Sequence, residues 1–335
     1  MARIQIADST VAFDCAPDDT LARAGQRAGL GMPYECNVGC CGTCKVELVS
    51  GEVRSAWPLA PALNDRDRSK NRVLGCQAHP QGDCTIKVRL SDEYLPAVLP
   101  RRFRAKLLQR RSVTHDIGEF HWQSNALPSF KPGQYALFAL PAVAGQRAYS
   151  MSNVAGDGTW QFQIKRVPGG QGTGALFDTL ADGDEIELDG PYGNAWLREE
   201  SPRDLVCIAG GSGISPMLSI VRGFAAAPAM RERTLHFFFG GRGPADICGE
   251  EELRSLAPFG QRIHFYPSIS VRELDTDGVW KGAVGFVHEQ VAATLAPLAN
   301  YEFYFAGPPP MTQATQRMLI QAKVPFSQMH FDQFY

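Results

Sequence analysis

Cys36-x4-Cys41-x2-Cys44, joined much later in the chain by Cys76, restricts this sequence more than any other feature. Four thiolates at this spacing suit a plant-type [2Fe–2S] cluster, because two irons and two sulfides need anionic sulfur donors. The close triplet lets one loop wrap the cluster while a distant strand end closes it. Gly39, Gly42 and the small Thr43 let that loop turn tightly and aim backbone N–H groups at the sulfurs, which favours the reduced, more negative cluster. Structural zinc is the rival, since Cys41-x2-Cys44 with Cys76-x2-His79 imitates a zinc ribbon, but zinc leaves Cys36 and the glycines without a role. A Rieske centre needs two histidine ligands, and only His79 is near. Cys40 lies off the spacing and reads as a passenger; Cys15, Cys84, Cys207 and Cys248 read as buried small apolar residues.

Around this loop the first ~90 residues form a small α+β pattern. Strand-like Arg3–Ile6 and Val11–Phe13 precede a helix-like Thr20–Gly29, and strands are expected at Lys45–Val49 and Thr85–Leu90. With 335 residues in all, roughly 150 per domain implies two or three cores. Between Pro96 and Arg111 the basic residues Arg101, Arg102, Arg104, Lys106, Arg110 and Arg111 stand with no acid among them. A domain junction belongs there, its charges a solvated linker and strand edge rather than a docking surface for an acidic partner. Short strands Gln134–Leu140, Gln161–Val167 and Asp184–Leu188, punctuated by turns, then read as an antiparallel barrel. Further on, strands Leu205–Ala209, Thr234–Phe239, Ile263–Tyr266 and Glu302–Phe305 alternate with helix-like Pro216–Ala225 and Met311–Lys323, the pattern of a parallel α/β sheet.

Arg147-Ala148-Tyr149-Ser150 offers an arginine for phosphate, an aromatic face for a flat ring and a hydroxyl for its edge, as a flavin nucleotide requires. Soon after, Pro168-Gly169-Gly170-Gln171-Gly172-Thr173-Gly174 leads into a helical Ala175–Leu180, where the backbone around Gly170 and Gly172 and the Thr173 hydroxyl can hold a pyrophosphate. Gly210-Gly211-Ser212-Gly213-Ile214-Ser215-Pro216 follows a buried strand and opens a helix, so a dinucleotide's phosphates can approach its backbone. Two more strand ends, Gly240-Gly241-Arg242 and Gly307-Pro308-Pro309, carry the same small-residue signature, and ligands of open α/β sheets sit at such carboxyl ends.

In this order the motifs resemble the ferredoxin–FAD–NADH reductase component of bacterial aromatic-ring oxygenase systems, of the naphthalene and benzoate dioxygenase type, over essentially the whole chain. The resemblance implies a β-grasp plant-type ferredoxin domain over 1–94, an antiparallel β-barrel FAD domain over 100–200 and a parallel α/β NAD domain over 201–335. It implies that Arg147 contacts flavin phosphate, Tyr149 stacks on the isoalloxazine and Ser150 lies near flavin N5. Two departures stand out. Many relatives have Cys-Gly where this chain has Ala306-Gly307, and the chain ends just after the aromatic that covers the flavin, leaving Phe334 or Tyr335 for that place.

NADH delivers two electrons as hydride and an iron–sulfur cluster accepts one, so the flavin splits the pair. Hydride transfer demands no acid or base here, and His115, His121, His236, His264 and His288 have no catalytic part. The acceptor is an oxygenase component or an intermediary ferredoxin. Reductases of diiron aromatic monooxygenases or of deoxysugar dehydratases share the cofactor order, and a zinc-stabilised binding module without redox chemistry is the remaining alternative. Lys plus Arg total 33 against 35 Asp plus Glu, a balance that leaves no footprint for nucleic acid or an anionic membrane. No apolar run reaches the ~18–20 residues of a membrane span and the start lacks a signal-peptide core, so a cytoplasmic monomer is expected.

Overall fold

The computed structural model describes residues 1–125, 127–156 and 158–334. By their internal contacts these form two compact units: 1–103 with 136–148 and 187–194, and 104–135 with 149–186 and 195–335.

In the first unit a five-stranded sheet runs in the order Ala12–Cys15, Ala2–Ile6, Cys84–Lys87, Lys45–Ser50, Arg72–Leu74. Ala2–Ile6 is antiparallel to its hairpin partner, with Ile4 opposite Phe13, and parallel to Cys84–Lys87, with Ile4 opposite Cys84. Alternation turns Ile4 and Ile6 inward, where they meet Leu21 and Ala24 of the helix Leu21–Arg27 together with Phe13, Met32, Val46 and Ile86. Each such buried side chain contributes roughly 1.5–3 kcal/mol. A helix laid across a mixed sheet whose first and last strands pair in parallel is the expected β-grasp. The strands Val53–Ser55, Arg72–Leu74 and Ala78–Pro80 are too short to show a period in sequence.

The barrel-like sheet has the order Arg147–Ser150, Tyr135–Ala139, Glu185–Tyr192, Arg101–Ser112, Ile117–Ser124, Trp160–Lys165. Its longest strand, Arg101–Ser112, corrects the linker reading of the basic stretch. Ala105 and Leu107 are buried between outward basic residues, so the stretch is a half-buried strand. Several of its charges are also engaged locally. Arg102 meets Asp18 and Asp19, Arg110 donates to the Leu180 carbonyl at 2.8 Å, and Arg111 pairs with Glu119 at 2.8 Å.

The third sheet is parallel throughout, in the order Ala283–Val284, Ile263–Ile269, Leu235–Gly241, Asp204–Gly210, Tyr301–Gly307, Met329–Gln333. Both faces of its central strand are buried: Leu205, Cys207 and Ala209 join one core, Val206 and Ile208 the other. That explains an unbroken apolar run. The two expected helices are Ile214–Ala226 and Pro309–Gln321. Ala175–Leu180 differs from a regular α-helix: Gln171–Gly174 is one α turn, and Ala175–Thr179 is wound as a π-helix. Among the described residues no helix is long and apolar enough to cross a membrane.

Candidate functional site

The four spaced cysteines resolve into two pairs. Cys44 and Cys76, both buried, bring their sulfurs to 3.3 Å, and the Cys41 N–H donates to Cys36 Sγ at 3.4 Å. Among the described residues no three of these sulfurs lie within 4.8 Å of one another. Two separated pairs fit a two-iron cluster better than the single tetrahedron of zinc. The loop reaches this arrangement through left-handed turns at Gly39 (φ +95°) and Gly42 (φ +82°), and a Cβ on Gly39 would press on Trp57 at 3.0 Å and Gln77 at 3.3 Å.

Electrostatics point the same way. A hydrogen bond from the Cys41 thiol, helped against burial by the Val38 and Cys41 N–H groups, lowers Cys36 to about 7, whereas donating that bond and being buried push Cys41 up. In the second pair the bond between the two thiols and burial push Cys44 up, while that same bond, with Gln77 and Arg23, brings Cys76 down against its burial. In each pair one thiol is thus pushed toward the thiolate form and the other away from it. Full ionisation calls for added positive charge, which bound iron supplies. Cys40 is half-buried, and burial followed by the Cys41 charge pushes its thiol up. His79, the zinc-ribbon candidate, stands on the short strand Ala78–Pro80 opposite Arg54.

Arg147, Tyr149 and Ser150 share one short strand. Arg147 folds back on its own loop, donating to the Ala144 and Gln146 carbonyls at 3.1 Å each. Ser150 is buried, and its carbonyl accepts a 2.7 Å bond from Ser215 Oγ. Gly170 opens the turn that holds Gly172 and Thr173, both buried. The Thr173 hydroxyl serves that turn, accepting the Val167 N–H at 3.1 Å and facing the Gly170 carbonyl at 3.3 Å.

The glycines of the candidate dinucleotide loop have a packing reason as well as a ligand one. A Cβ on Gly213 would lie 1.9 Å from the Ala306 carbonyl oxygen, and one on Gly307 would lie 2.9 Å from the Gly210 oxygen. Gly211 takes φ +55°, and Pro216 sits in the first turn of Ile214–Ala226. Gly210 and Gly307 thus end neighbouring strands, backbone against backbone, with Pro308 directly preceding the helix Pro309–Gln321. At the next strand end the Arg242 and Gly243 N–H groups donate to Asp246 Oδ2 at 2.9 and 3.0 Å, and a Cβ on Gly241 would meet Asp246 at 2.9 Å. Phe334 donates its N–H to the Gly307 carbonyl at 3.3 Å and packs against the sheet's core. Tyr335 lies outside the described residues.

Ser215, Ser219 and Arg222 escape the motif reading. They recur at helical spacing and donate to the carbonyls of Ser150, Asn153 and Ser152 at 2.7, 2.6 and 2.7 Å. The two serines also accept backbone N–H groups, Gln163 on Ser215 at 3.0 Å and Gly133 on Ser219 at 3.2 Å. A polar stripe on a helix otherwise filled with apolar residues was the available signal. Behind it, buried Glu119 receives His121 at 2.7 Å, Arg111 at 2.8 Å and Gln163 at 3.0 Å.

Comparison with known proteins matches the same three parts. Residues 4–81 match the 2Fe-2S iron-sulfur cluster binding domain, 104–196 the oxidoreductase FAD-binding domain and 207–317 the oxidoreductase NAD-binding domain. The chain is 39% identical to the ferredoxin–NAD(P)+ reductase CarAd of Metapseudomonas resinovorans, with 96% of each chain covered. It is 37% identical to the ferredoxin–NAD+ reductase component of the alkene monooxygenase system of Xanthobacter autotrophicus, over 96% of this chain and 97% of that one. The solved ferredoxin reductase in carbazole 1,9a-dioxygenase superposes with a TM-score of 0.90 at 35% identity, covering 100% of this chain and 98% of that one. Paired thiols in a β-grasp unit, a flavin-type sheet and a parallel nucleotide sheet, matched from end to end, mean that this chain, with its 2Fe-2S, FAD-binding and NAD-binding domains, belongs to the ferredoxin–NAD(P)+ reductase components of oxygenase systems.

Proposed function

We propose that this reductase serves a Rieske aromatic-ring dioxygenase, reaching the oxygenase component directly or through an intermediary ferredoxin, as a cytoplasmic monomer using NADH. The observation that carries the electron path is the pairing of Cys36 with Cys41 and of Cys44 with Cys76, which supplies four sulfurs in a two-iron arrangement. When bound, the FAD accepts hydride and the [2Fe–2S] cluster moves electrons singly. The chain binds and orients them. Arg147 would take flavin phosphate, Tyr149 would offer its face to the ring, Ser150 would serve the ring's edge, and Gly170, Gly172 and Thr173 would shape the pyrophosphate turn. Gly210, Gly211, Gly213 and Pro216, with Gly241, Arg242, Gly307 and Pro308, stand at the carboxyl end of the parallel sheet and would line a bound dinucleotide there, and Phe334 follows from the neighbouring strand. Full-length similarity to the reductase in carbazole 1,9a-dioxygenase supports the dioxygenase assignment.

The similarity to the alkene monooxygenase reductase component supports a second reading, service to a monooxygenase hydroxylase. Purified protein with NADH, offered Rieske ferredoxins, Rieske oxygenases and diiron hydroxylases in turn, decides between them. Faster reduction of the Rieske acceptors is expected, and preference for the diiron hydroxylase would overturn the assignment.

A further inference from the structure

Arg23 stands on the helix Leu21–Arg27 with only 8% of its surface exposed. A buried cation is costly unless a counter-charge and hydrogen bonds repay its desolvation. The carboxylate beside it, Asp19, lies 3.9 Å away and is engaged more closely by Arg27 at 2.8 Å and Arg102 at 3.0 Å. The other partners of Arg23 are neutral. Nε donates to Thr20 Oγ1 at 3.0 Å, Nη1 to Gln146 Oε1, and Nη2 reaches the Cys76 carbonyl at 3.5 Å. A weakly compensated positive charge therefore rests against the backbone of Cys76. The same guanidinium holds Gln146, the residue immediately before Arg147.

We propose that Arg23 is a positioning residue for electron transfer, whose buried charge favours the cluster in the state that carries the added electron and whose hydrogen bonds tie the Cys76 end of the site to the start of the strand Arg147–Ser150. The inference rests on the reading of Cys76 as a cluster ligand. Electron balance needs nothing from Arg23 itself: each electron comes from reduced flavin, whose pair came from NADH, and the guanidinium stays protonated throughout. Its contribution is a fixed field, and a unit charge at this range in a buried setting shifts such an equilibrium by roughly tenfold or more.

The test is a redox titration of the full-length holoprotein followed by the cluster's electron paramagnetic resonance, after iron and acid-labile sulfide have been counted. In Arg23→Gln the cluster should be retained with a lower midpoint potential, moving the distribution of electrons about tenfold toward the flavin. Arg23→Lys, which keeps the charge, should stay near the wild type. Reduction of cytochrome c should slow in Arg23→Gln by more than reduction of ferricyanide, which draws on the flavin, while Arg23→Lys keeps the ratio of the two rates near the wild type. An intact cluster with an unchanged potential in Arg23→Gln overturns the proposal, and so does an equal fall in Arg23→Lys, since the charge would then be irrelevant. Wild-type protein devoid of iron and sulfide would instead overturn the cluster reading on which it rests.

Discussion

Ser215 Oγ donates to the carbonyl of Ser150 at 2.7 Å while accepting the Gln163 N–H at 3.0 Å, so one hydroxyl pins two strands of the flavin-type sheet to the start of the helix after the glycine loop. Ser215→Ala leaves both backbone groups without this buried partner, a loss of about 1–3 kcal/mol in stability. With Ser150 no longer held, flavin reduction by NADH in stopped flow should slow by roughly tenfold, and Ser215→Thr should restore most of it. Unchanged reduction in the alanine variant would show that the bond has no part in placing Ser150.

Cys41→Ser and Cys76→Ser should each abolish or severely weaken the cluster, because each breaks one sulfur pair. Cys40→Ser should leave it assembled, since Cys40 lies outside both pairs. Iron and sulfide content separates the outcomes, and a clusterless Cys40→Ser protein would sink the ligand assignment.

Glu119 gives a pH signature. Burial alone would raise its carboxyl, but hydrogen bonds from His121, Arg111 and Gln163, together with the Arg111 charge, outweigh burial and hold it well below the ordinary glutamate value of about 4.5. A folded-state pKa below the unfolded one means the stabilisation is complete above that ordinary value and is lost as the pH falls from there toward the folded value. Glu119→Gln should cost about 1–3 kcal/mol at neutral pH and flatten the fall in Tm between roughly pH 5 and 3. Parallel Tm profiles for the two proteins would contradict this.

Nucleotide choice should favour NADH. Arg242 is a single arginine at the strand end where a 2′-phosphate would need a basic cluster, and the Asp246 carboxylate is held there by the N–H groups of Arg242 and Gly243. A phosphate dianion beside that carboxylate is disfavoured, so kcat/KM for NADH should exceed that for NADPH by roughly tenfold or more. Asp246→Ala should narrow the gap, and comparable wild-type values would show that Arg242 receives the phosphate.

A chain beginning near Arg101 is the sequence-based test of whether the flavin and nucleotide parts fold alone, and Arg27 adds a cost to it. Arg27 donates to both oxygens of Asp189 at 2.7 Å, and Asp189 is fully buried. In the full-length protein Asp189→Asn should cost roughly 3–5 kcal/mol by breaking that pair, and the shortened chain, which loses it whole, should show a depressed Tm. It should still oxidise NADH with ferricyanide and lose transfer to protein acceptors. No effect of Asp189→Asn in the full-length protein would mean the pair carries little stability.

The motifs that chemistry demands at fixed spacing were readable in the sequence: the four cysteines, the glycines of the nucleotide loop and the unbroken apolar strands around Leu205–Ala209. The strand Arg101–Ser112 was not, because its outward basic residues mask the inward Ala105 and Leu107. The partners of Arg23, Ser215 and Asp189 were hidden for another reason. Each owes its role to a partner far along the chain, Gln146, Ser150 and Arg27 respectively, and no local period records such a pairing.

The pairing of Arg27 with Asp189 also sets a schedule. The two residues are 162 positions apart, so on a ribosome adding roughly 5–20 residues per second Arg27 emerges on the order of ten seconds before its partner. In the folded protein Asp19, only eight positions away, also meets that guanidinium at 2.8 Å. The stretch that carries all four spaced cysteines is synthesised early, yet the unit containing it is completed only after residues 187–194 have been made. Cluster insertion therefore has a window in which the thiol loop exists before its full support does, and early binding of iron and sulfide would help to hold that loop together while the rest of the polypeptide arrives.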